Sequence, residues 1–337
     1  MGVEPHIAAA AAAGIEALIG QCGGDAPSLL AGLALPAARL ADPTQRLSLM
    51  AYCRLFEQAA AQTGLDDFGL RFGQQYAPEQ MGALGALVLA SPDLGAALRN
   101  LCAYFPVLQE HSCLRLRAQG AVIALEYQIG DGRITQRRQD AELSLAVFAG
   151  IFRRALGPGF APLEVQFEHL RPAGARAASG FRAPVYYAAP RNALLFPAEL
   201  LAAKMPGADA ARLPGLLAAL RPQLADGGAR DFVGQVLGLI RDGFLNGAAQ
   251  IDQVAQRLGV SRAGLHRRLR QEGVAFSDLT ARIRRELAQD YVGQPGIAFT
   301  DIALLLGYSE LSAFTRAFTR WTGRSPARYR QACRHAP

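Results

Sequence analysis

At 337 residues the chain exceeds one ordinary core of roughly 100–200 residues, so two domains are expected. Hydrophobic residues make up 51% of it, which excludes disorder over most of its length. Its formal charge of +7 lies entirely at one end: residues 229–337 hold 16 arginines against 9 acids, whereas residues 1–228 hold 19 cations and 19 anions. That distribution fits a polyanion-binding module joined to a neutral one.

No uncharged run is longer than Gln80–Pro92, far short of the ~20 residues that span a bilayer. The start, Met1 to His6, has no basic segment before its alanine run, so no secretory signal is read there, and His6 spoils a myristoylation motif at Gly2. A cytoplasmic protein with no membrane partner is expected. Cys22, Cys53, Cys102, Cys113 and Cys333 are odd in number and never paired as C-x-x-C, which argues for free thiols and against disulfides or a metal site.

In chain order, residues 7–21, 44–62, 92–104 and 136–156 carry apolar residues at helical spacing. Cys113–Arg117, Val122–Gln128, Leu163–Glu168 and Ala193–Phe196 read as short strands. Arg171–Gly174 and Arg182–Pro184 are turn-rich. Residues 1–220 therefore form an α+β domain. A linker is expected at 221–229, where Arg221-Pro222 and Gly227-Gly228 coincide with the charge boundary. No enzyme is expected, since G-x-S-x-G and H-E-x-x-H are absent and Gly157-Pro158-Gly159 does not make a nucleotide loop. His111, Ser112 and Cys113 are reactive types, but strand neighbours point to opposite faces. No ligand pocket is legible by spacing; Arg71, Tyr104, His111 and Arg191 are the side chains suited to a carboxylate ligand. No cofactor is called for.

From residue 230 to 337 the pattern is all-helical, with helices expected near 230–242, 251–258, 262–271, 277–292, 299–306, 310–321 and 326–332. Their stops are Gly243, Gly259, Gly273, Pro295-Gly296, Gly307 and Gly323. This third of the chain repeats itself. Val254-Ala255-Gln256-Arg257-Leu258-Gly259-Val260-Ser261, with Leu265, Arg267 and Leu269, matches Ile302-Ala303-Leu304-Leu305-Leu306-Gly307-Tyr308-Ser309, with Phe314, Arg316 and Phe318. Each copy is a short helix, a glycine, a capping residue and a second helix, the helix-turn-helix pattern. Ala255 and Ala303 keep the first helix thin, and Gly259 and Gly307 supply a positive φ. Ser261, and Ser309 or Glu310, cap the second helices. Leu265/Leu269 and Phe314/Phe318, four apart, are the stripes to be buried.

The opposite stripes carry Arg262, Ala263, His266, Arg267 and Arg270 in one copy and Glu310, Ser312, Ala313, Thr315, Arg316 and Arg320 in the other. Short polar residues and arginines on a free helix face suit a major groove. The run Phe299-Thr300-Asp301-Ile302-Ala303, Gly307-Tyr308-Ser309-Glu310, Phe314-Thr315-Arg316-Ala317-Phe318, Arg320-Trp321-Thr322-Gly323-Arg324-Ser325-Pro326, Tyr329-Arg330 resembles the signature of the AraC/XylS family of transcription regulators. The resemblance covers residues 230–331. Over 65–210 the chain also resembles the arabinose-binding-type effector domain of one branch, through Leu70–Gly73, Met81–Gly85, Ser91–Leu98 and Asn192–Leu194.

The resemblance implies an α+β effector and dimerisation domain followed by an all-α domain whose two helix-turn-helix units are joined by a long helix near Ser277–Val292. By motif position, Arg262, Ala263, His266, Arg267, Ser312, Ala313 and Arg316 would contact bases. Arg270, Arg284, Arg320, Arg324 and Arg328 would hold phosphates of double-stranded DNA. Trp321 and Tyr329 would pack in the core. The implied partners are a small-molecule effector, a second copy of the chain, and RNA polymerase if the protein activates. An effector-independent repressor or architectural DNA-binding protein is the alternative at this point.

Overall fold

The computed structural model describes residues 4–131, 133–172, 180–230, 232–245, 250–293 and 297–334. It divides into two compact units, Met1–Asp231 and Phe232–Pro337.

The first unit opens with β1 (His6–Ala8), α1 (Ile15–Gln21), α2 (Ala26–Gly32), α3 (Ala37–Ala41), β2 (Arg46–Ser48) and α4 (Leu49–Thr63). The helices expected at 7–21 and 44–62 therefore each lose their first turns to a strand. β1 and β2 pair antiparallel, Ile7 opposite Leu47. Between β1 and α1, Ala9–Ala12 form one 3₁₀ turn whose four alanines are buried, so packing overrides the helix propensity of the run. Ser48 then caps α4, accepting from the Ala51 amide at 3.2 Å.

Next come α5 (Phe68–Gln75), α6 (Ala83–Ala90), α7 (Leu94–Leu108), β3 (Ser112–Gln119), β4 (Val122–Ile129) and α8 (Arg138–Leu156). β5 (Glu164–Gln166), β6 (Val185–Tyr186), β7 (Asn192–Pro197) and α9 (Leu213–Arg230) complete the unit. The larger sheet runs β3-β4-β7-β5-β6, antiparallel except for β5 and β6. All four expected strands lie in it. The turn expected at Arg171–Gly174 falls partly outside the described residues, while Arg182 lies in a turn at φ 58°.

Helix α8 organises this unit, packing on α4, α5, β4 and β7. Leu145, Phe148 and Phe152 are buried; Phe148 meets Phe105 and Tyr127 edge-on, and Phe152 meets Phe196. Each such side chain stabilises by roughly 1.5–3 kcal/mol on burial. α5 approaches α8 so closely because it presents glycines: a Cβ on Gly69 would lie 2.2 Å from the Gln139 carbonyl oxygen, and one on Gly73 would lie 2.4 Å from that of Leu143.

The linker expected at 221–229 is helical, the last turns of α9. Leu213, Leu216, Leu217 and Leu220 sustain the helical pattern, Leu220 is 1% exposed, and α9 lies on α6 and α7. Pro214 sits in the first turn, where no amide partner is needed. Pro222 withholds an amide from the Ala218 carbonyl, and Gln223 Nε2 donates to the neighbouring Ala219 carbonyl at 3.1 Å. The tertiary contact thus carries the helix through a proline that by itself reads as a break.

The second unit comprises α10 (Phe232–Leu245), α11 (Ile251–Arg257), α12 (Arg262–Gln271), α13 (Phe276–Gly293), α14 (Phe299–Leu305), α15 (Leu311–Thr322) and α16 (Pro326–Arg334). Gly259, Gly273, Gly307 and Gly323 stand at helix ends with φ of 66°, 71°, 79° and 70°. Gly243 does not stop α10, because the buried Phe244 extends its apolar stripe. Pro295-Gly296 lies outside the described residues. Among the described residues, no helix is long and apolar enough to cross a membrane.

One substitution should have opposite signs at two glycines. Gly150 in α8 has open space for a Cβ, so Gly150→Ala should stabilise by up to about 1 kcal/mol through propensity. At Gly73 the clash with backbone outweighs that gain, and Gly73→Ala should cost roughly 1–3 kcal/mol. Urea unfolding of both variants checks the pair; equal effects would mean that α5 and α8 are not in close contact.

Candidate nucleic-acid interface

In the first helix-turn-helix unit, α11 ends at a turn through Gly259 and α12 begins at Ser261, whose hydroxyl accepts from the Gly264 amide at 3.0 Å. Leu265 and Leu269 are 0% and 1% exposed and lock α12 onto Val254 and Ala255. That orientation leaves Arg262, Ala263, His266, Arg267 and Arg270 exposed along one face. In the second unit Phe314 and Phe318 are both 0% exposed against Ile302 and Ala303. Their rings lie 5.7 Å apart, and Tyr329 closes on Phe318 at 5.3 Å. Ser312, Arg316 and Arg320 are exposed, and Ala313 and Thr315 are half-buried. Trp321 packs, half-buried, against the same core.

The second cap departs from expectation. Glu310 holds the N-cap position of α15, but its side chain takes no hydrogen bond from the first turn, and Ser309 lies one residue too early. The carboxylate can act there only through the helix dipole.

Electrostatics sorts the arginines into two groups. Arg267, Arg270, Arg316, Arg320, Arg324 and Arg328 are exposed, and none of them is paired with a carboxylate among the described residues. Arg262 has only an exposed contact with Asp252 at 3.3 Å, a kind worth at most about 1 kcal/mol. The second group is used internally. Arg284, expected on phosphate, is half-buried, its guanidinium 5.3 Å from the Phe244 ring and 5.6 Å from Tyr308. It fills the space between α10 and the second turn, so the phosphate expectation is withdrawn for it. Arg330 Nε and a terminal nitrogen donate to the Val292 and Ile297 carbonyls, both at 2.8 Å, with the guanidinium 4.0 Å above Phe299. Arg241, 4% exposed, pairs with Glu286 at 3.1 Å, and Arg282 reaches the other oxygen at 3.1 Å. Arg241 sits on the apolar stripe of α10, and that misplaced charge was the signal available in the sequence.

The side chains suited to a carboxylate ligand do not act together. Arg71 pairs with Asp67 at 2.8 Å, and Arg191 pairs with Glu126 at 2.8 Å. His111 occupies a turn position at φ 53°, and Tyr104 is half-buried against the core. Ser112 is buried and Cys113 exposed, on opposite faces of β3.

Two family models match the chain: the arabinose-binding domain of AraC transcription regulators over residues 23–205, and a helix-turn-helix domain over 254–332. The first match begins well before the segment at 65–210 in which the sequence alone shows the likeness. The ornithine utilization regulator of Pseudomonas aeruginosa is 30% identical over 87% of each chain. The transcriptional regulator VirS of Mycobacterium tuberculosis is 29% identical over 84% of each chain. The crystal structure of the transcriptional regulator CdpR from Pseudomonas aeruginosa aligns over 91% of this chain and 96% of that one, at 22% identity and a TM-score of 0.44.

The buried pair between α10 and α13 makes a direct test. Glu286→Gln removes the negative charge that faces Arg241 in the core and should cost about 3–5 kcal/mol, whereas joint replacement by Arg241→Met and Glu286→Leu should recover most of the loss. Chemical denaturation of the full chain measures both; an unaffected single variant would contradict the burial of Arg241.

Proposed function

The chain belongs to the AraC/XylS family of transcription regulators, and from that premise we propose that it is a ligand-responsive regulator whose two helix-turn-helix units read successive major-groove segments. It is a DNA-binding transcription regulator with an N-terminal effector domain. The finer reading is that residues 1–220 bind a small metabolite and join two copies of the chain, and that the complex activates transcription through RNA polymerase. The name of the relative from Pseudomonas aeruginosa, taken from ornithine utilization, supports a metabolite as the signal.

The observation that carries the reading is the row of exposed arginines without carboxylate partners among the described residues, opposite the buried Leu265/Leu269 and Phe314/Phe318 stripes. Charge left unpaired on one surface is what a polyanion requires. Arg262, Ala263, His266 and Arg267, with Ser312, Ala313 and Arg316, are proposed to face base edges, the arginines through their bidentate fork to guanine. Arg270, Arg320, Arg324 and Arg328 are proposed to hold phosphates and fix register without reading sequence. Ala263 is short, which lowers the number of bases the first unit can read.

Selection from a random DNA pool with full-length protein near 150 mM salt should enrich two short blocks about 10 base pairs apart. No enrichment by residues 229–337 under the same conditions would contradict the two-unit reader. On the selected site, Arg316→Ala should cost about 1–3 kcal/mol and relax preference at one position. Arg324→Ala should weaken selected and scrambled DNA alike and shallow the salt dependence by about one phosphate contact. Identical behaviour of the two variants on both DNAs would sink the division between base and phosphate contacts.

A further inference from the structure

An open cleft of about 540 Å³ lies between α5, the last turn of α8 and the chain at 180–182, a volume suited to a small metabolite. Arg71 and Gln74 line it from α5, Arg153 from α8, and Arg182 from the turn after Phe181. Leu70 adds an apolar patch, and Asp67 is the carboxylate among the lining residues. Three guanidiniums against one carboxylate leave the cleft with two positive charges in excess. Gln74 Nε2 donates to the Gly180 carbonyl at 3.0 Å and ties that stretch of chain to α5.

The three arginines are held in different ways. Arg71 Nε donates to Asp67 Oδ1 at 2.8 Å, and its terminal nitrogens carry no bond among the described residues. Arg182 has φ 58°, a backbone conformation that side chains resist. Its Nη2 donates to the Pro158 carbonyl and, at 3.1 Å, to that of Phe160. Those contacts fix the guanidinium and leave Nε and Nη1 without a bond among the described residues. The Arg153 side chain is half-buried, with neither a hydrogen bond nor an ion pair among the described residues. Its neighbour Arg154, by contrast, is exposed and paired with Glu79. Burial and the positive charge of Arg182 both hold the Arg153 guanidinium below the ordinary arginine range. The dipole of α8 favours a cation in its last turn, but not one partly desolvated beside a second guanidinium. A charge so placed is costly without a partner, and an arriving anion removes the cost.

We propose that this cleft binds a small dicarboxylate, one carboxylate between Arg153 and Arg182 and the other at the terminal nitrogens of Arg71. The planar fork of arginine matches a carboxylate through two parallel hydrogen bonds, and a fork already fixed loses little freedom on binding. Two carboxylates balance the two excess charges, where one would not. Leu70 gives the methylene stem an apolar contact. The role of this cleft as the effector site rests on the ligand-responsive reading above.

The test is calorimetric titration of the full-length protein at low salt, where charge pairing is least screened. The probes are succinate through adipate, with butyrate, succinamide and inorganic phosphate as controls. The best dicarboxylate should bind roughly tenfold or more tighter than butyrate, because a second charge-assisted contact is added. Succinamide should not bind. Arg153→Gln should lose about tenfold in dicarboxylate affinity, yet melt at least as high as wild type without ligand, since an unpaired charge is gone. Asp67→Asn keeps an acceptor for Arg71, removes the opposing charge and should bind dicarboxylates tighter. Should Arg153→Gln fail to fold, Asp67→Asn decides: unchanged or weaker binding would overturn the site. Full affinity in Arg153→Gln, butyrate or phosphate binding as tightly as the dicarboxylates, or no dicarboxylate binding would overturn it too. Dicarboxylate binding that leaves affinity for the selected DNA unchanged would retain the site and overturn its effector role. A DNA response to a cell extract without dicarboxylate binding would overturn the site and leave the regulator standing.

Discussion

The reading surface of the second unit depends on a four-residue spacing. Leu265 with Leu269, and Phe314 with Phe318, place two apolar groups one turn apart on each second helix, and burying them fixes the rotation of that helix about its own axis. Everything on the opposite face follows. The glycines at 259 and 307 make the turn tight enough for the first helix to receive the stripe, and their positive φ is the conformation that other residues resist. Which side chains face outward is thus a consequence of core packing.

The arginines show how one residue type is divided between framework and function. Arg241, Arg284 and Arg330 each meet an acid, an aromatic face or backbone carbonyls, and the guanidinium's planar fork suits all three. Arg267, Arg270, Arg316, Arg320, Arg324 and Arg328 are exposed and meet none of these among the described residues. The division tracks burial, and burial is set by which helix face the apolar stripe commands. The net charge of this end of the chain therefore overstates the number of arginines available to DNA.

In the first unit the governing element is α8, a helix buried on nearly every side. Its neighbours reach it through glycines on α5 and aromatic rings from α7, β4 and β7. A helix so enclosed has little room for charge, yet it carries Asp140 and Glu142, both pushed up to about 7 by burial. Such groups subtract from stability at neutral pH.

Much of this architecture was legible in the residues. The helices from 251 to 334 follow from period, capping residues and glycine stops, and the repeat identified the two units because each residue type has a local mechanical task. The four strands of the larger sheet were legible from alternation and β-branched content. Where the sequence misled, the deciding contact lay far along the chain. Ala9–Ala12 is helical by propensity, but the pairing of His6–Ala8 with Arg46–Ser48 holds it in a different conformation. Pro222 and Gly227-Gly228 read as a linker, but packing of α9 on α6 and α7 keeps the helix intact. Arg284 was grouped by its motif position with residues expected on phosphate, and only the positions of Phe244 and Tyr308 turn it inward. The cavity lined by Gln109 and Ser144 draws on residues from 7 to 148, so no local window contains it. By itself the sequence determined the two helix-turn-helix units, because their signals lie within one or two turns. Only tertiary structure decided which charges are buried, because burial depends on neighbours that the chain brings together from a distance.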